Sequence, residues 1–104
     1  MNGFLITFFT ETNASYNNKP IQDWIIESLA KLQITGVTII RGQEGIDHLG
    51  KVHSANFFEL ADQPIQLQVV LNKAQSESLI NLINKQGLKV FYVKTAVEFG
   101  TTGN

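Results

Sequence analysis

The sequence contains no cysteine, which removes a disulfide framework and any thiolate metal site from consideration. Proline is rare: Pro20 and Pro64 are the two in 104 residues, and both stand where a regular element begins. Charge is sparse as well. Eight Lys and Arg against nine Asp and Glu leave a formal net charge of −1, without the basic surplus that neutralising a phosphate backbone requires, so nucleic acid is not an expected partner. No apolar run approaches the roughly 20 residues of a membrane-spanning helix. The opening stretch Met1-Asn2-Gly3 followed by Phe4-Leu5-Ile6-Thr7-Phe8-Phe9 lacks the basic start and small-residue cleavage site of a signal peptide, and a cytoplasmic protein is expected. Nor is there a nucleophile elbow or a paired-carboxylate signature. Ser54 beside His53 does not by adjacency orient a base toward a hydroxyl, so the chain is not expected to be an enzyme or to require a cofactor.

What is present describes a single domain spanning residues 1–104, with 43% hydrophobic residues available for one core. Residues 4–10 are aromatic and β-branched and form the first expected strand. A long polar stretch, Glu11 to Lys19, follows, and loops of that length on small domains are often binding loops. Pro20 suits a first helical position, and Ile21, Trp24, Ile25, Leu29 and Leu32 then recur at helical spacing until Gly36. Val37-Thr38-Ile39-Ile40 is the second strand, ended by Arg41-Gly42-Gln43-Glu44-Gly45. An irregular strand over Val52 to Phe58 flanks a tip at Asp47 to Lys51. Pro64 opens the third strand, in which Ile65, Leu67, Val69 and Leu71 share one face. Asn72 caps a second helix with the stripe Leu79, Ile80, Leu82 and Ile83, and Gly87 closes it. Leu88 to Lys94 is the fourth strand, and Glu98 to Asn104 is a Gly- and Thr-rich tail expected to fray.

The order βαββαβ predicts an α+β, ferredoxin-like sandwich: a four-stranded antiparallel sheet with two helices on one face. The first strand carries Phe4, Ile6 and Phe8 on one side and Leu5 and Phe9 on the other, so the face without helices holds large apolar groups. Each is worth about 1.5–3 kcal/mol when fully buried, and association between subunits is the expected cover. The same topology gathers three segments at one end of the sheet. They carry Tyr16 and Lys19, then Arg41, Gly42, Glu44, Gly45, Lys51 and His53, then Gly87 and Lys89, while Lys94 falls toward the other end. Glycine-rich turns that present backbone N–H groups beside fixed cations suit an anion such as a nucleotide phosphate, and Arg41 is the chain's only arginine.

The stretch Arg41-Gly42-Gln43-Glu44-Gly45, then His53-Ser54-Ala55, then Leu60-Ala61-Asp62-Gln63-Pro64-Ile65, with Lys19-Pro20 before the first helix, resembles the PII-like family of small bacterial and archaeal domains of unknown function. The resemblance implies a homotrimer with the architecture shared by PII and CutA proteins. It also implies a T-loop at about residues 43–58 and an adenine nucleotide between subunits at the base of that loop. The nucleotide would change how the loop engages a partner, a membrane transporter or an enzyme. By position, Arg41, Gly42 and Gly45 correspond to the base of the T-loop, and Gly87 with Lys89 to the glycine-lysine turn that holds phosphates in PII proteins. The chain departs from the family in having Gly45-Ile46-Asp47 where many relatives continue Gly-Phe-Gly, and in having a tighter turn before Lys89.

Other readings stand beside these. His48 and His53, near Glu44, Asp47 and Glu59, are ligand types for a divalent metal in a CutA-like trimer, although i, i+5 spacing on a loop favours a solvated loop over a metal site. A structural assembly subunit without ligand is a further alternative. Arg41 either binds phosphate or pairs with Glu44 or Glu59 across the hairpin, and Trp24 on the apolar stripe reads most simply as core.

Overall fold

The computed structural model describes residues 1–42, 44–46, 52–54 and 63–103, the backbone alone for 44–46 and 52–54. Its elements are β1 (Asn2–Glu11), β2 (Ser15–Tyr16), β3 (Lys19–Pro20), α1 (Ile21–Lys31), β4 (Thr38–Arg41), β5 (Glu44–Ile46), β6 (Val52–Ser54), β7 (Pro64–Leu71), α2 (Lys73–Lys85) and β8 (Phe91–Glu98). The main sheet runs β4-β7-β1-β8 with every pair antiparallel. Both helices pack on one face of it, which is the expected ferredoxin-like sandwich.

Strand alternation decides what the helices cover. Ile6 and Phe8 of β1 lie opposite Val69 and Leu67 of β7, and these residues, with Ile65 and Leu71, are at most 2% exposed. Ile25 and Leu29 of α1 and Leu79 and Ile83 of α2 complete the core from above. Asn72 caps α2 reciprocally: its side chain accepts the Gln75 N–H at 2.8 Å while the Gln75 side chain accepts the Asn72 N–H at 3.0 Å.

The ends of β1 and β4 shift by one or two residues from the sequence reading, and four other boundaries differ for a local reason. Pro20 is the N-cap of α1 rather than its first helical residue, with extended ψ of 140°, because it pairs with Ser15 in a two-residue ladder. That ladder turns through Asn17 and Asn18, both at positive φ, the geometry of a type I′ hairpin, so the segment expected as a plain loop contains a tight hairpin. Helix α1 stops before Gly36. Gln33 takes φ +57°, its N–H reaches the Ala30 carbonyl, and the Ile34 N–H reaches the Leu29 carbonyl, a Schellman closure. The fourth strand starts at Phe91 rather than Leu88, because Leu88 serves the same closure on α2, donating to the Ile83 carbonyl and burying its side chain. The strand then runs on to Glu98, where the expected tail begins, and Phe99 is tied to Met1 by two hydrogen bonds.

Candidate functional site

Register fixes which residues share an end of the sheet. Glu11 lies opposite Pro64, Arg41 opposite Ile65 and Phe91 opposite Phe9, so the loop after β1, the exit of β4 and the entry to β8 all meet at one end, as the topology predicts. Tyr16, Lys19, Arg41, Gly42, Gly87 and Lys89 therefore belong to that end. They do not form one cluster within a chain. Arg41 leaves β4, the strand at one edge, whereas Gly87 and Lys89 lead into β8, the strand at the other. Three inter-strand spacings separate those edges, about 14 Å.

On the β8 side the chain builds a compact polar network. The Tyr16 hydroxyl donates to the Gln86 carbonyl at 3.1 Å, and the Trp24 Nε1–H donates to the Tyr16 carbonyl at 2.8 Å. The Tyr16 and Trp24 rings lie 5.4 Å apart, and the Lys19 ammonium sits 3.9 Å from the centre of a Trp24 ring while bonding Glu27 at 2.9 Å. The buried Ser28 hydroxyl donates to the Trp24 carbonyl at 2.8 Å and lies 3.2 Å from the Gln86 side-chain oxygen. Gly87 is required here twice over: its φ is +75°, and an added Cβ would come within 3.0 Å of the Tyr16 hydroxyl. Trp24 is thus half core and half support for the hairpin. Gln86, Ser28 and Glu27 escaped sequence reasoning because no motif marks them; Gln86 and Ser28 meet partners 58 to 70 residues away, and Glu27 meets Lys19 only because the hairpin folds back beside α1.

Three of the backbone N–H groups expected at this end are engaged within the chain. The Gly42 N–H donates to the Pro64 carbonyl at 2.8 Å, and the Gly87 and Leu88 N–H groups close the end of α2. Gly42 also faces Pro64 so closely that an added Cβ would lie 3.1 Å from its ring. Among the described residues, this end also offers an anion side-chain charge: Arg41 and Lys89 are exposed, and Lys19 is half-buried.

Gly45 lies in β5 opposite His53 in β6, so the connection between β4 and β7 begins as a hairpin. Asp47, His48, Lys51 and residues 55–58 of the T-loop segment lie outside the described residues, as does Glu59. Among the described residues no group of three or more His, Asp or Glu side chains gathers as metal ligands. No helix among them is long and apolar enough to cross a membrane. Lys94 lies opposite Ile6, with its ammonium 4.1 Å from the centre of the Phe4 ring, away from the site end.

The face without helices carries Ile40 of β4, Val70 of β7, Leu5 and Phe9 of β1, and Phe91 and Val93 of β8, as the register requires. Phe9 and Phe91 pack at 5.6 Å, yet Phe91 remains 69% exposed. This face runs between the two edges that bear the candidate cations.

Residues 3–98 match the model of the DUF190 family, described as Uncharacterized ACR. The chain belongs to the DUF190 family. Its fold is PII-like. The nitrogen regulatory PII-like protein CPII of Thiomonas intermedia, solved bound to ADP, AMP and bicarbonate, superposes with a TM-score of 0.73 at 12% identity, covering 97% of this chain and 91% of that one. The apo form of CPII gives 0.65 at 10% identity, with 98% and 96% covered. A putative PII-like signaling protein of Thermus thermophilus gives 0.64 at 15% identity, with 92% and 87% covered. At such identities the likeness establishes the DUF190 chain's fold and leaves its ligand to its own residues.

Proposed function

We propose that this chain is the subunit of a cytoplasmic, non-enzymatic PII-like signalling protein. Three copies cover one another's open sheet faces, and an anionic small molecule, an adenine nucleotide, binds in the clefts between them. The observation that carries this reading is the placement of the cations. Arg41 and Lys89 lie at the same end of the sheet but leave from opposite edges, about three strand spacings apart within a chain. A closed ring of subunits would bring the Arg41 edge of one copy to the Lys89 edge of the next while burying the apolar face between them. That CPII, of the same fold, was solved with ADP and AMP supports the choice of ligand.

Nucleotide would be held by the Arg41 guanidinium and the Lys89 ammonium, with Lys19 as a further nearby charge. Arg41 stands one residue before Gly42, where the T-loop hairpin of β5 and β6 departs, so a ligand drawn to Arg41 is placed to bias that hairpin. The effect on a partner, a membrane transporter or an enzyme, can be no larger than the ligand's preference for one hairpin state. The test is a calorimetric titration of the purified protein with AMP, ADP and ATP, with its mass in solution recorded alongside. Saturable binding of one nucleotide by a particle of three chains is the expected result. A monomer, or a trimer indifferent to all three nucleotides, would refute the reading.

A further inference from the structure

We propose that Tyr16 is a positioning residue for Lys89, acting through the Gln86 carbonyl; this rests on the reading of the site end as a nucleotide site. The end of α2 is already closed by two bonds, from the Gly87 N–H to the Asn84 carbonyl and from the Leu88 N–H to the Ile83 carbonyl. The Tyr16 hydroxyl adds a third constraint that helix closure does not need, 3.1 Å from the last carbonyl before the positive-φ step at Gly87. Gln86 is gripped again through its side chain, 3.2 Å from the buried Ser28 hydroxyl. Tyr16 is itself fixed by the Trp24 indole on its carbonyl and by a hairpin turn with both central residues at positive φ.

The purpose follows from the binding mode. With the Gly42, Gly87 and Leu88 N–H groups spent inside the chain, side-chain cations carry more of an anion's binding, and an exposed Lys89 is a flexible four-carbon stem. Holding its backbone origin still lowers the ordering that ligand binding must impose. Tyr16 touches no ligand in this scheme. It sets where Lys89 starts.

The experiment compares wild type, Y16F, K89A and the double variant, titrated with ADP by ligand-observed NMR so that weak binding is still read. Amide exchange at Leu88 and Lys89 and the thermal midpoint are measured on the same samples. Y16F keeps the ring against Trp24 and removes only the hydroxyl. It is expected to weaken ADP about 5-fold and to speed exchange at Lys89, with no further weakening when added to K89A. Should Y16F fail to fold, S28A releases the other grip on Gln86 and is expected to shift the same readouts in the same direction. An unchanged ADP affinity in folded Y16F overturns the proposal and leaves the nucleotide reading intact. An equal loss in the K89A background also overturns it, because Tyr16 would then act other than through Lys89. Absence of ADP binding by wild type refutes the nucleotide reading and the proposal with it.

Discussion

On the helix side of the sheet Ile6, Phe8, Leu67, Val69 and Leu71 of β1 and β7 are almost wholly buried, while Phe9 and Val70 of those strands and Val93 and Phe91 of the edge strand β8 keep 37% to 69% of their surface on the other side. Both faces carry large apolar residues; the covering differs. A chain that spends large apolar side chains on both faces, but builds helices for one, has covered one face in the fold and left the other open, which is the face the proposed association would bury. The middle of the open face is tempered by Thr7, Gln66 and Gln68, which suits an interface that forms between separately folded subunits better than a core formed in one step.

The largest expected effect breaks the covered face. Leu67→Ala removes a side chain with no exposed surface and should cost about 2–5 kcal/mol in chemical denaturation, whatever the assembly state. Val70→Glu, one face over and three residues on, should do the opposite. Far-UV circular dichroism stays native while light scattering falls from the mass of the assembly to the 11.6 kDa of one chain. If Val70→Glu unfolds the chain or leaves its mass unchanged, the open face is not the interface. A smaller effect sharpens the contrast from within the core. Ser76 is fully buried and its hydroxyl has no hydrogen-bond partner among the described residues, so Ser76→Ala should raise stability by about 1 kcal/mol. Smallest is Gln33→Gly at the end of α1, away from both faces, which should add about 0.5–1 kcal/mol in the same denaturation assay by relieving a left-handed residue.

The parts of this fold written in local pattern were readable from the sequence. The alternation Ile65, Leu67, Val69, Leu71 gave β7 and its buried face, and Asn72 announced α2 three residues ahead of its reciprocal partner Gln75. The end of α1 was misread because a glycine is the usual left-handed residue, and here Gln33 takes that conformation three positions before Gly36. The start of β8 was misread because Leu88 looks like strand and is instead the apolar clasp of a Schellman closure. The convergence of three segments at one end followed from topology alone. The separation of Arg41 from Lys89 onto opposite edges required the strand order, and the link from Tyr16 to Gln86 joins residues 70 apart, leaving no local trace.

The central claim is that each ligand site takes Arg41 from one subunit and Lys89 from its neighbour, and subunit mixing tests it most directly. R41A and K89A proteins, each expected to bind ADP poorly alone, are unfolded together, refolded at equal concentration and titrated with ADP. Random assembly into closed rings should restore about one quarter of the clefts, those with Arg41 supplied by a K89A subunit and Lys89 by an R41A subunit, at wild-type affinity. Recovery of no tight sites in a mixture shown to exchange subunits would mean that one chain supplies both groups, and would contradict the account.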